Sequence, residues 1–384
     1  MESCLEIMDT EAWLRDFRGR AARGRIPFTA YLELTRRCNL RCRHCYLGSQ
    51  EEQHQNREAE QDTIAVKKSL DEWAAAGCFH LVITGGDPMM RDDFCEIYRH
   101  GVELGMFTTV FCDGILVTDR IIDLFREYPP RSVEISIYGA TAPVYESVTR
   151  VEGSYALAWR GIRRLVDAGV RVALKTVLLT LNQHELAEMA VQAEALGCLF
   201  RFDAAVFPCI AAHPSPPAPL PAGEGRPAAG AQASPTDLRV APEVVVQWDL
   251  AFPERRSRLA RAIKVANARP VSENVYACGA GNTSFYVDPF GNFSPCLMTT
   301  QYRYPADGRS FDEIWHGDLL QMRRKKRVQE GGCLTGPMRG ICTHCPASNY
   351  LETGNEENDS DYMRKTTELR YAAILATDEY KENT

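Results

Sequence analysis

Two kinds of hydrophobic pattern alternate along the chain from residue 29 onward. Short segments rich in β-branched and aromatic residues alternate with longer segments whose apolar positions, such as Ile64, Leu70 and Trp73, recur at helical spacing. We predict strands at Thr29–Thr35, His80–Thr84, Thr108–Cys112, Ser132–Ile137, Val170–Val177 and Phe200–Phe207. Six β/α units within about 180 residues indicate a parallel sheet.

The helical pattern fills the intervals between these strands. We predict helices at Glu11–Ala22, Thr63–Ala76, Asp92–Leu104, Asp119–Glu127, Tyr155–Ala168 and Gln183–Leu196. Four of them are followed by a glycine, at Gly77, Gly105, Gly169 and Gly197, as is common at helix C-termini. Thr118 and Asn182 are predicted N-caps. Six units are fewer than the eight of a closed barrel, so we expect an open, partial barrel with its ligand site at the carboxyl ends of the strands.

The composition changes after residue 210. Residues 211–239 are rich in Pro, Ala and Gly, which predicts a flexible linker or inserted loop. A Cys-rich part follows at 240–353, with a helix predicted at Val240–Arg261, and residues 354–384 combine an acidic stretch with a helix at Tyr362–Thr377. With a lead-in at 1–28, we expect an α/β chain in which a partial (β/α)6 barrel at 29–210 precedes a small Cys-rich α+β domain.

Composition and charge exclude several classes of protein. Of the 384 residues, 45% are hydrophobic and 25% are charged, as in globular proteins. A net charge of −7 argues against nucleic acid as the main partner. No apolar run approaches the roughly 18 residues of a membrane span, and the acidic N-terminus does not resemble a signal peptide. We therefore expect a cytoplasmic protein without a membrane or nucleic-acid partner.

The chain has 14 cysteines, and their clustering favours metal binding or redox chemistry over disulfides. Cys38, Cys42 and Cys45 form a C-x3-C-x2-C array directly after the first strand. Three such thiolates can hold three irons of an iron–sulfur cube and leave the fourth iron open. A structural zinc site, which prefers four closed ligands, and three unrelated thiols are the alternatives. His44, between the ligands, is expected to pack.

This array, after the first strand of a partial barrel, resembles the radical S-adenosylmethionine (radical SAM) superfamily. The resemblance covers residues 29–207. It implies that Cys38, Cys42 and Cys45 form the catalytic centre by holding a [4Fe–4S] cluster whose open iron binds the amino and carboxyl groups of AdoMet. It also implies reductive cleavage of AdoMet to a 5′-deoxyadenosyl radical, which abstracts a hydrogen from the substrate.

The resemblance extends to positions that would contact AdoMet. Gly85 and Gly86 end the second strand, where glycine lets the backbone approach a ligand, and Asp87 stands where the family usually has Glu. Ser136 corresponds to the ribose-contacting strand, and Asp113 lies in a turn similar to a Thr-Asn-Gly turn. The implied AdoMet-binding residues are Tyr46, Gly85, Gly86, Asp87, Asp113 and Ser136. Strand parity leaves open whether Lys175 and Asp203 point into the barrel.

A second set of cysteines lies in the C-terminal part. A hairpin with a tight turn at Asp288–Gly291 brings Cys278 and Cys296 to the same end, and Cys342 and Cys345 form a C-x2-C pair that suits one corner of a metal site. This pattern resembles a SPASM or twitch domain. Because no Cys follows Cys345, it implies one auxiliary iron–sulfur cluster on Cys278, Cys296, Cys342 and Cys345, with Cys333 a competing or spare ligand. Zinc is a rival.

The other cysteines are Cys4, Cys78, Cys95, Cys112, Cys198 and Cys209. We expect them to pack as small hydrophobic residues, with hydrogen donation or acceptance as the alternative for Cys209. The basic run Arg323–Arg327 is expected to be a solvated helix face, the alternative being a docking site for an acidic leader peptide.

The resemblance favours a maturase that modifies a peptide or protein substrate. It implies an electron donor such as flavodoxin or ferredoxin. A separate peptide-recognition protein is a further expectation, because 28 residues before the first strand are too few for a recognition domain. One alternative is a radical SAM enzyme acting on a small molecule, such as a tetrapyrrole precursor. A non-catalytic zinc-binding scaffold is the alternative from another class.

Overall fold

The computed structural model describes residues 10–210, 234–267, 271–329, 336–342 and 345–381. Within these residues, nine strands form one sheet in the order β6-β5-β4-β3-β2-β1-β7-β8-β9. The strands are β1 (Thr29–Glu33), β2 (His80–Thr84), β3 (Phe107–Cys112), β4 (Ser132–Ser136), β5 (Val172–Val177), β6 (Leu199–Asp203), β7 (Ser284–Val287), β8 (Asn292–Ser294) and β9 (Tyr304–Pro305).

All neighbours from β6 to β7 pair in parallel, whereas β8 and β9 are antiparallel. The predicted α/β class and parallel sheet are confirmed. The hairpin β7–β8 was predicted from its turn, but its position was not. It pairs with β1 in a register that places Tyr31 beside Tyr286, so the C-terminal part of the chain extends the wall of the barrel.

Helices connect the strands and cover one face of the sheet. They are α1 (Thr10–Gly24), α2 (Gln50–Gln55), α3 (Thr63–Ala75), α4 (Phe94–Glu103), α5 (Asp119–Glu127), α6 (Ala142–Thr149), α7 (Ser154–Asp167), α8 (Leu186–Ala195), α9 (Pro242–Ala251), α10 (Pro253–Asn267), α11 (Phe311–His316), α12 (Asp318–Arg323), α13 (Pro346–Thr353), α14 (Asp361–Leu375) and α15 (Asp378–Lys381). Short 3₁₀ turns lie at Arg57–Ala59, Pro88–Met90, Gln183–Glu185, Pro235–Leu238 and Pro337–Gly340. Across the described parts of the chain, no helix is both long enough and apolar enough to cross a membrane.

Most helix ends follow the predicted signals. Gly77, Gly105, Gly169 and Gly197 all adopt positive φ angles, from 66° to 92°, as expected where a helix ends and the chain turns into a strand. Asn182 was predicted to cap a helix that starts at Gln183, but it precedes a 3₁₀ turn and its side chain does not cap that turn. Instead Oδ1 accepts a hydrogen bond from the backbone N–H of Leu179 at 2.8 Å.

One helical prediction was wrong in detail, and α6 is among the helices that were not predicted. The single helix predicted at Val240–Arg261 is two helices, α9 and α10, because Pro253 cannot continue a helix across Phe252. Helix α6 was missed because it is short and lacks a long amphipathic repeat, although Pro143 in its first turn is a start signal.

The two faces of the parallel strands differ in burial. Alternate residues such as Leu32, Ile135 and Leu174 are fully buried and belong to one apolar core with the helices. The residues between them, including Glu134 and Lys175, remain partly accessible on the opposite face. This second face is the interior of the open barrel, so polar side chains there are available for binding.

Buried polar contacts join the barrel to the C-terminal part. The carboxylate of Glu33 accepts hydrogen bonds from the Tyr286 hydroxyl and from Nε of Arg36, the latter at 3.2 Å. Arg239 forms two hydrogen bonds with Glu352 and also donates to the carbonyl of Val206. Most of the predicted linker, residues 211–233, lies outside the described residues.

Candidate active site

The three cysteines of the first cluster lie on one loop at the carboxyl end of β1. Cys38, Cys42 and Cys45 are free thiols, and each is partly exposed. The backbone N–H of Cys45 donates to the carbonyl of Cys42 at 3.1 Å, which closes a turn around the C-x2-C pair. The three predicted ligands therefore lie on one short loop.

Neighbouring elements fix this cysteine loop. The side chain of Gln50 in α2 accepts a hydrogen bond from the backbone of Cys38 at 2.7 Å. The N–H groups of Arg41 and Arg43 donate to the carbonyls of Thr149 and Val148, at 3.0 Å each. The cysteine loop is thus held by the first helix after it and by the end of α6, which the sequence did not predict.

The loop provides a low-polarity environment for its thiols. Burial, with smaller contributions from nearby acids and thiols, raises the pKa of Cys38 and Cys42 well above the ordinary value. Burial also raises the pKa of Cys45 to about 11. The free thiols are therefore protonated at neutral pH, and a bound metal would have to displace their protons.

His44 packs inside the loop, as predicted. Its ring makes an edge contact with Tyr138 at 4.8 Å between centroids. Burial lowers its pKa to about 4, so the imidazole is neutral.

Gly85 and Gly86 bring the end of β2 against the beginning of the cysteine loop. The N–H of Gly86 donates to the carbonyl of Thr35 at 2.8 Å, and the N–H of Asp87 donates to that of Arg37 at 2.9 Å. A Cβ atom on Gly86 would collide with the carbonyl oxygens of Arg36 and Arg37. The backbone approach that these glycines permit is therefore to the protein's own chain, and that approach positions Cys38.

Asp87 and Asp113 form a carboxyl pair between the ends of β2 and β3. Asp87 is fully buried, and its carboxylate accepts hydrogen bonds from the N–H groups of Met89 and Asp113, at 2.8 and 2.9 Å. Burial, together with the charge of Asp113, raises the pKa of Asp87 well above its usual range. Asp113 also accepts from the N–H of Ile115 at 2.8 Å, which stabilises the turn after β3.

The remaining predicted contacts lie around the same strand ends. Ser136 ends β4 on the partly accessible face, in register with Lys175 of β5. Tyr46 follows the third cysteine and packs in a small apolar cluster with Leu47 and Ile210. The backbone of Ile210 donates to the carbonyl of Tyr46 at 2.8 Å, which ties the segment after β6 to the cysteine loop.

Several polar atoms beside the loop are unpaired, and of their residues only His44 was singled out from the sequence. The hydroxyl of Tyr145, Oδ1 of Asn39 and Nδ1 of His44 are buried and have no hydrogen-bond partner among the described residues. Such atoms normally have partners, so unpaired ones next to three thiols fit a polar ligand at this position. Asn39 could have been suspected from its place between two cysteines, but Tyr145 required knowledge of α6.

Charged side chains line the interior of the barrel below these groups. Lys175 points into the interior, since its Nζ lies 3.1 Å from the centre of the Phe111 ring and 3.5 Å from Oε2 of Glu134. Arg201 of β6 forms an ion pair with the same oxygen of Glu134. Asp203 is exposed at the end of β6, where its carboxylate accepts from the N–H of Ala205 at 2.9 Å.

Three cysteines of the second cluster are also near one another. Cys278, Cys296 and Cys345 are free thiols. Burial and the nearby thiols Cys345 and Cys278 raise the pKa of Cys296 to about 12. Cys342 instead forms a disulfide in this structure, and Cys333 lies outside the described residues.

Within the described ranges, no three His, Cys, Asp or Glu side chains form a group that could hold a single metal ion. The other cysteines divide by position. Cys78, Cys95, Cys112 and Cys198 are buried, as predicted, whereas Cys209 is partly exposed and Cys4 lies outside the described residues.

The predicted solvated helix face at Arg323–Arg327 was wrong in one respect. Helix α12 ends at Arg323, and the basic residues after it lie on irregular chain. Lys325 pairs with Glu356 and Lys326 with Glu273, so much of the run is neutralised within the molecule.

Comparisons with known proteins agree with the fold and the cysteine loop. The sequence profile of the radical SAM superfamily matches residues 32–193. AdoMet-dependent heme synthase of Methanosarcina barkeri is 24% identical over 346 residues, covering 86% of this chain and 94% of the relative. Mycofactocin maturase MftC of Mycobacterium ulcerans is 27% identical over 332 residues, covering 83% and 80%.

Among solved structures, Streptococcus suis SuiB bound to its precursor peptide SuiA superposes with a TM-score of 0.65 at 14% identity. The match covers 93% of this chain and 82% of SuiB. The matched profile spans β1 to β5 and most of α8, and contains the whole cysteine loop together with the strand ends packed against it. Residues 32–193 of this chain therefore form a radical SAM domain.

Proposed function

We propose that Cys38, Cys42 and Cys45 hold the [4Fe–4S] cluster that radical SAM enzymes use with AdoMet, and that the substrate is a peptide or protein. The carrying observation is the placement of three free, partly accessible thiols on one loop at the carboxyl end of β1. Their number suits a cluster with one open iron, and the unpaired polar atoms beside them suit a polar ligand.

When bound, the cluster and AdoMet supply an electron and a 5′-deoxyadenosyl radical that abstracts hydrogen. The chain's own residues bind these groups and orient them. Gly86 keeps the cysteine loop against β2, and the carboxyl pair of Asp87 and Asp113 fixes the ends of β2 and β3. Ser136 presents a hydroxyl at the end of β4 for the ribose. The barrel wall limits access of water to the reacting atoms.

A peptide substrate is supported by the relatives. A mycofactocin maturase is similar to this chain over 83% of its length. The structure of SuiB, which has a similar fold, contains a bound precursor peptide. A segment that matches a PqqA peptide cyclase of Methylocella silvestris at 30% identity over 171 residues adds to this support. An electron donor such as flavodoxin or ferredoxin and a separate peptide-recognition protein remain part of the proposal.

One auxiliary iron–sulfur cluster is a further part of the proposal. Cys278, Cys296 and Cys345 are free thiols near one another, which supports three of its ligands. The fourth is Cys342 or Cys333. Reduction of the disulfide at Cys342 would have to precede ligation by that thiol. A cytoplasmic location fits such reduced thiols.

A tetrapyrrole substrate is the second candidate. It is favoured by the heme synthase of M. barkeri, which this chain matches over 94% of the relative's length. The two candidates share the cysteine loop and differ only in what occupies the barrel interior.

The cluster assignment is tested with anaerobically reconstituted protein. With AdoMet and dithionite, it should release 5′-deoxyadenosine. The variant Cys38→Ala/Cys42→Ala/Cys45→Ala should lose one cluster's iron and all release, yet keep the auxiliary iron. A matched triple variant, Cys78→Ala/Cys95→Ala/Cys198→Ala, removes three buried thiols and should keep both. Unchanged iron in the first variant would refute the assignment.

The substrate class is tested separately. The peptide encoded next to this chain's gene is incubated with the holoenzyme, AdoMet and dithionite, and its mass is measured. A mass change that requires AdoMet supports the peptide. Turnover of a tetrapyrrole with no change in the peptide would favour the second candidate.

A further inference from the structure

A charged cluster on the inner face of β4, β5 and β6 has no role in the steps described above. It consists of Glu134, Lys175 and Arg201, and we call it the barrel ion cluster. Arg201 and Lys175 both approach Oε2 of Glu134, Lys175 at 3.5 Å. The side chains of Glu134 and Lys175 are only 14% and 21% exposed. Glu134 and Lys175 therefore form a largely buried ion pair in the barrel interior, unlike an ion pair on the protein surface.

The cluster carries an excess of one positive charge. Two cations share a single carboxylate, and the Lys175 ammonium also lies over the face of Phe111. Burial lowers the pKa of Lys175 to about 8 even though Glu134 acts in the opposite direction. An anion entering the interior would relieve this uncompensated charge.

Arg201 has the geometry to meet such an anion. Its side chain is 59% exposed, and only Nη2 has an acceptor among the described residues. Nε and Nη1 are therefore available, and a guanidinium presents its N–H groups in a planar fork that suits a carboxylate. Tyr31 of β1 is 38% exposed on the inner face, and its pKa is raised by burial and by Glu134. Its hydroxyl has no partner within the described ranges.

The position of the cluster relates it to the substrate rather than to AdoMet. Lys175 pairs in register with Ser136 on one side and with Arg201 on the other, so the cluster borders the predicted ribose position. The carboxyl group of AdoMet is assigned to the open iron, at the cysteine loop. A second anion in the interior therefore belongs to another molecule.

We propose that Arg201, with Lys175 and Tyr31, binds a carboxylate of the substrate inside the barrel, and that Glu134 holds the two cations in place. This inference rests on the proposed function, because it assigns a chemical group to the substrate of the same site. A carboxylate fits the planar fork of the Arg201 guanidinium, which can donate two parallel hydrogen bonds to it. A side chain of Asp or Glu, a peptide C-terminus or a tetrapyrrole side chain would each supply it.

The test uses the anaerobic holoenzyme with AdoMet and three probes. Two are the blocked peptides acetyl-Ala-Glu-Ala-amide and acetyl-Ala-Gln-Ala-amide, which differ by one carboxylate, and the third is coproporphyrin III. Binding is measured by calorimetry for the wild type, Arg201→Gln, Arg201→Lys and the control Arg160→Gln. Arg160 is exposed on α7, outside the barrel interior.

We expect at least one carboxylate probe to bind the wild type, with the Glu peptide about tenfold tighter than the Gln peptide if peptides enter. Arg201→Gln should abolish that preference, Arg201→Lys should keep part of it, and Arg160→Gln should keep it whole. The ratio between the two peptides is the decisive readout, because a merely structural role of Arg201 would weaken both equally.

Other results separate this inference from the proposed function. If coproporphyrin binds in an Arg201-dependent way and the Glu peptide does not, the carboxylate site stands and the peptide assignment fails. If no probe binds, if the preference survives Arg201→Gln, or if that variant loses AdoMet instead, the carboxylate site is refuted.

Discussion

The N–H of Asp113 donates to Oδ2 of Asp87 at 2.9 Å, across the ends of two neighbouring parallel strands. The same Asp87 carboxylate accepts from Met89, so one buried side chain holds two backbone segments. Because Asp87 is fully buried, a longer side chain at this position would have to displace its neighbours.

Replacing Asp87 should therefore destabilise the protein. Asp87→Ala leaves two buried N–H groups without an acceptor, at a cost of about 2–4 kcal/mol in the free energy of unfolding. Asp87→Glu adds a methylene to a filled position and should cost about 1–3 kcal/mol. Anaerobic urea denaturation measures both, with the exposed Asp92→Ala as the control. An Asp87→Ala protein as stable as the control would contradict the role assigned to this carboxyl group.

Gly86→Ala should disturb the cysteine loop without removing any thiol. The added Cβ would meet the carbonyl oxygens of Arg36 and Arg37, so the start of the loop must shift. We expect reconstituted iron at the first cluster to fall by about half or more, with a loss of about 2 kcal/mol in stability. Gly19→Ala, in helix α1, is the control and should not lower iron content. Full iron loading of the Gly86 variant would show that the loop tolerates the shift.

The pH dependence of stability should reveal Lys175. Burial lowers its pKa from 10.5 to about 8 in the folded state. Between these values the unfolded chain still holds a proton that the folded protein has released, so the free energy of unfolding rises with pH. The penalty is complete below pH 8 and amounts to about 3 kcal/mol at most.

The measurement compares wild type with Lys175→Met by urea denaturation from pH 7.5 to 10.5. The wild type should gain stability relative to the variant across this range. Groups whose titration does not depend on Lys175 cancel in the difference. Parallel pH profiles would mean that Lys175 has an ordinary pKa.

Two Tyr→Phe variants compare a buried hydroxyl that donates a hydrogen bond with a buried hydroxyl that has no partner among the described residues. Tyr286 donates to the buried carboxylate of Glu33, so Tyr286→Phe should cost about 1–3 kcal/mol. The Tyr145 hydroxyl is buried without a partner, so Tyr145→Phe should be neutral or slightly stabilising in protein without AdoMet. Thermal unfolding of the reconstituted, AdoMet-free proteins checks both. Equal effects of the two variants would argue against the hydrogen bond at Glu33.

Local signals in the sequence account for most of the barrel. The alternation around Leu32, Ile135 and Leu174 marks strands with one face in the core, and the glycines after helices mark where each strand begins. Cys38, Cys42 and Cys45 could be grouped because their spacing is short. These features depend on neighbours within a few residues, so the sequence alone is sufficient.

Other features depend on contacts between distant residues. The cluster of Glu134, Lys175 and Arg201 arises from the register of three strands, which side-chain alternation alone does not determine. The close packing of Gly86 against Arg36 and Arg37 of its own chain is another such contact. The break between α9 and α10 could have been predicted, because Pro253 marks it directly.

The pairing of β7 with β1 has a consequence for how the chain folds. The two strands meet across a long sequence separation, which is 253 residues at the contact between Glu33 and Tyr286. Contacts of such high sequence separation form slowly, because a long loop must close first. During synthesis, β1 is an unpaired sheet edge until the C-terminal part has emerged, and unpaired edges promote aggregation. Fragments that stop before β7 should therefore be poor folding units even though they contain every cysteine of the first cluster.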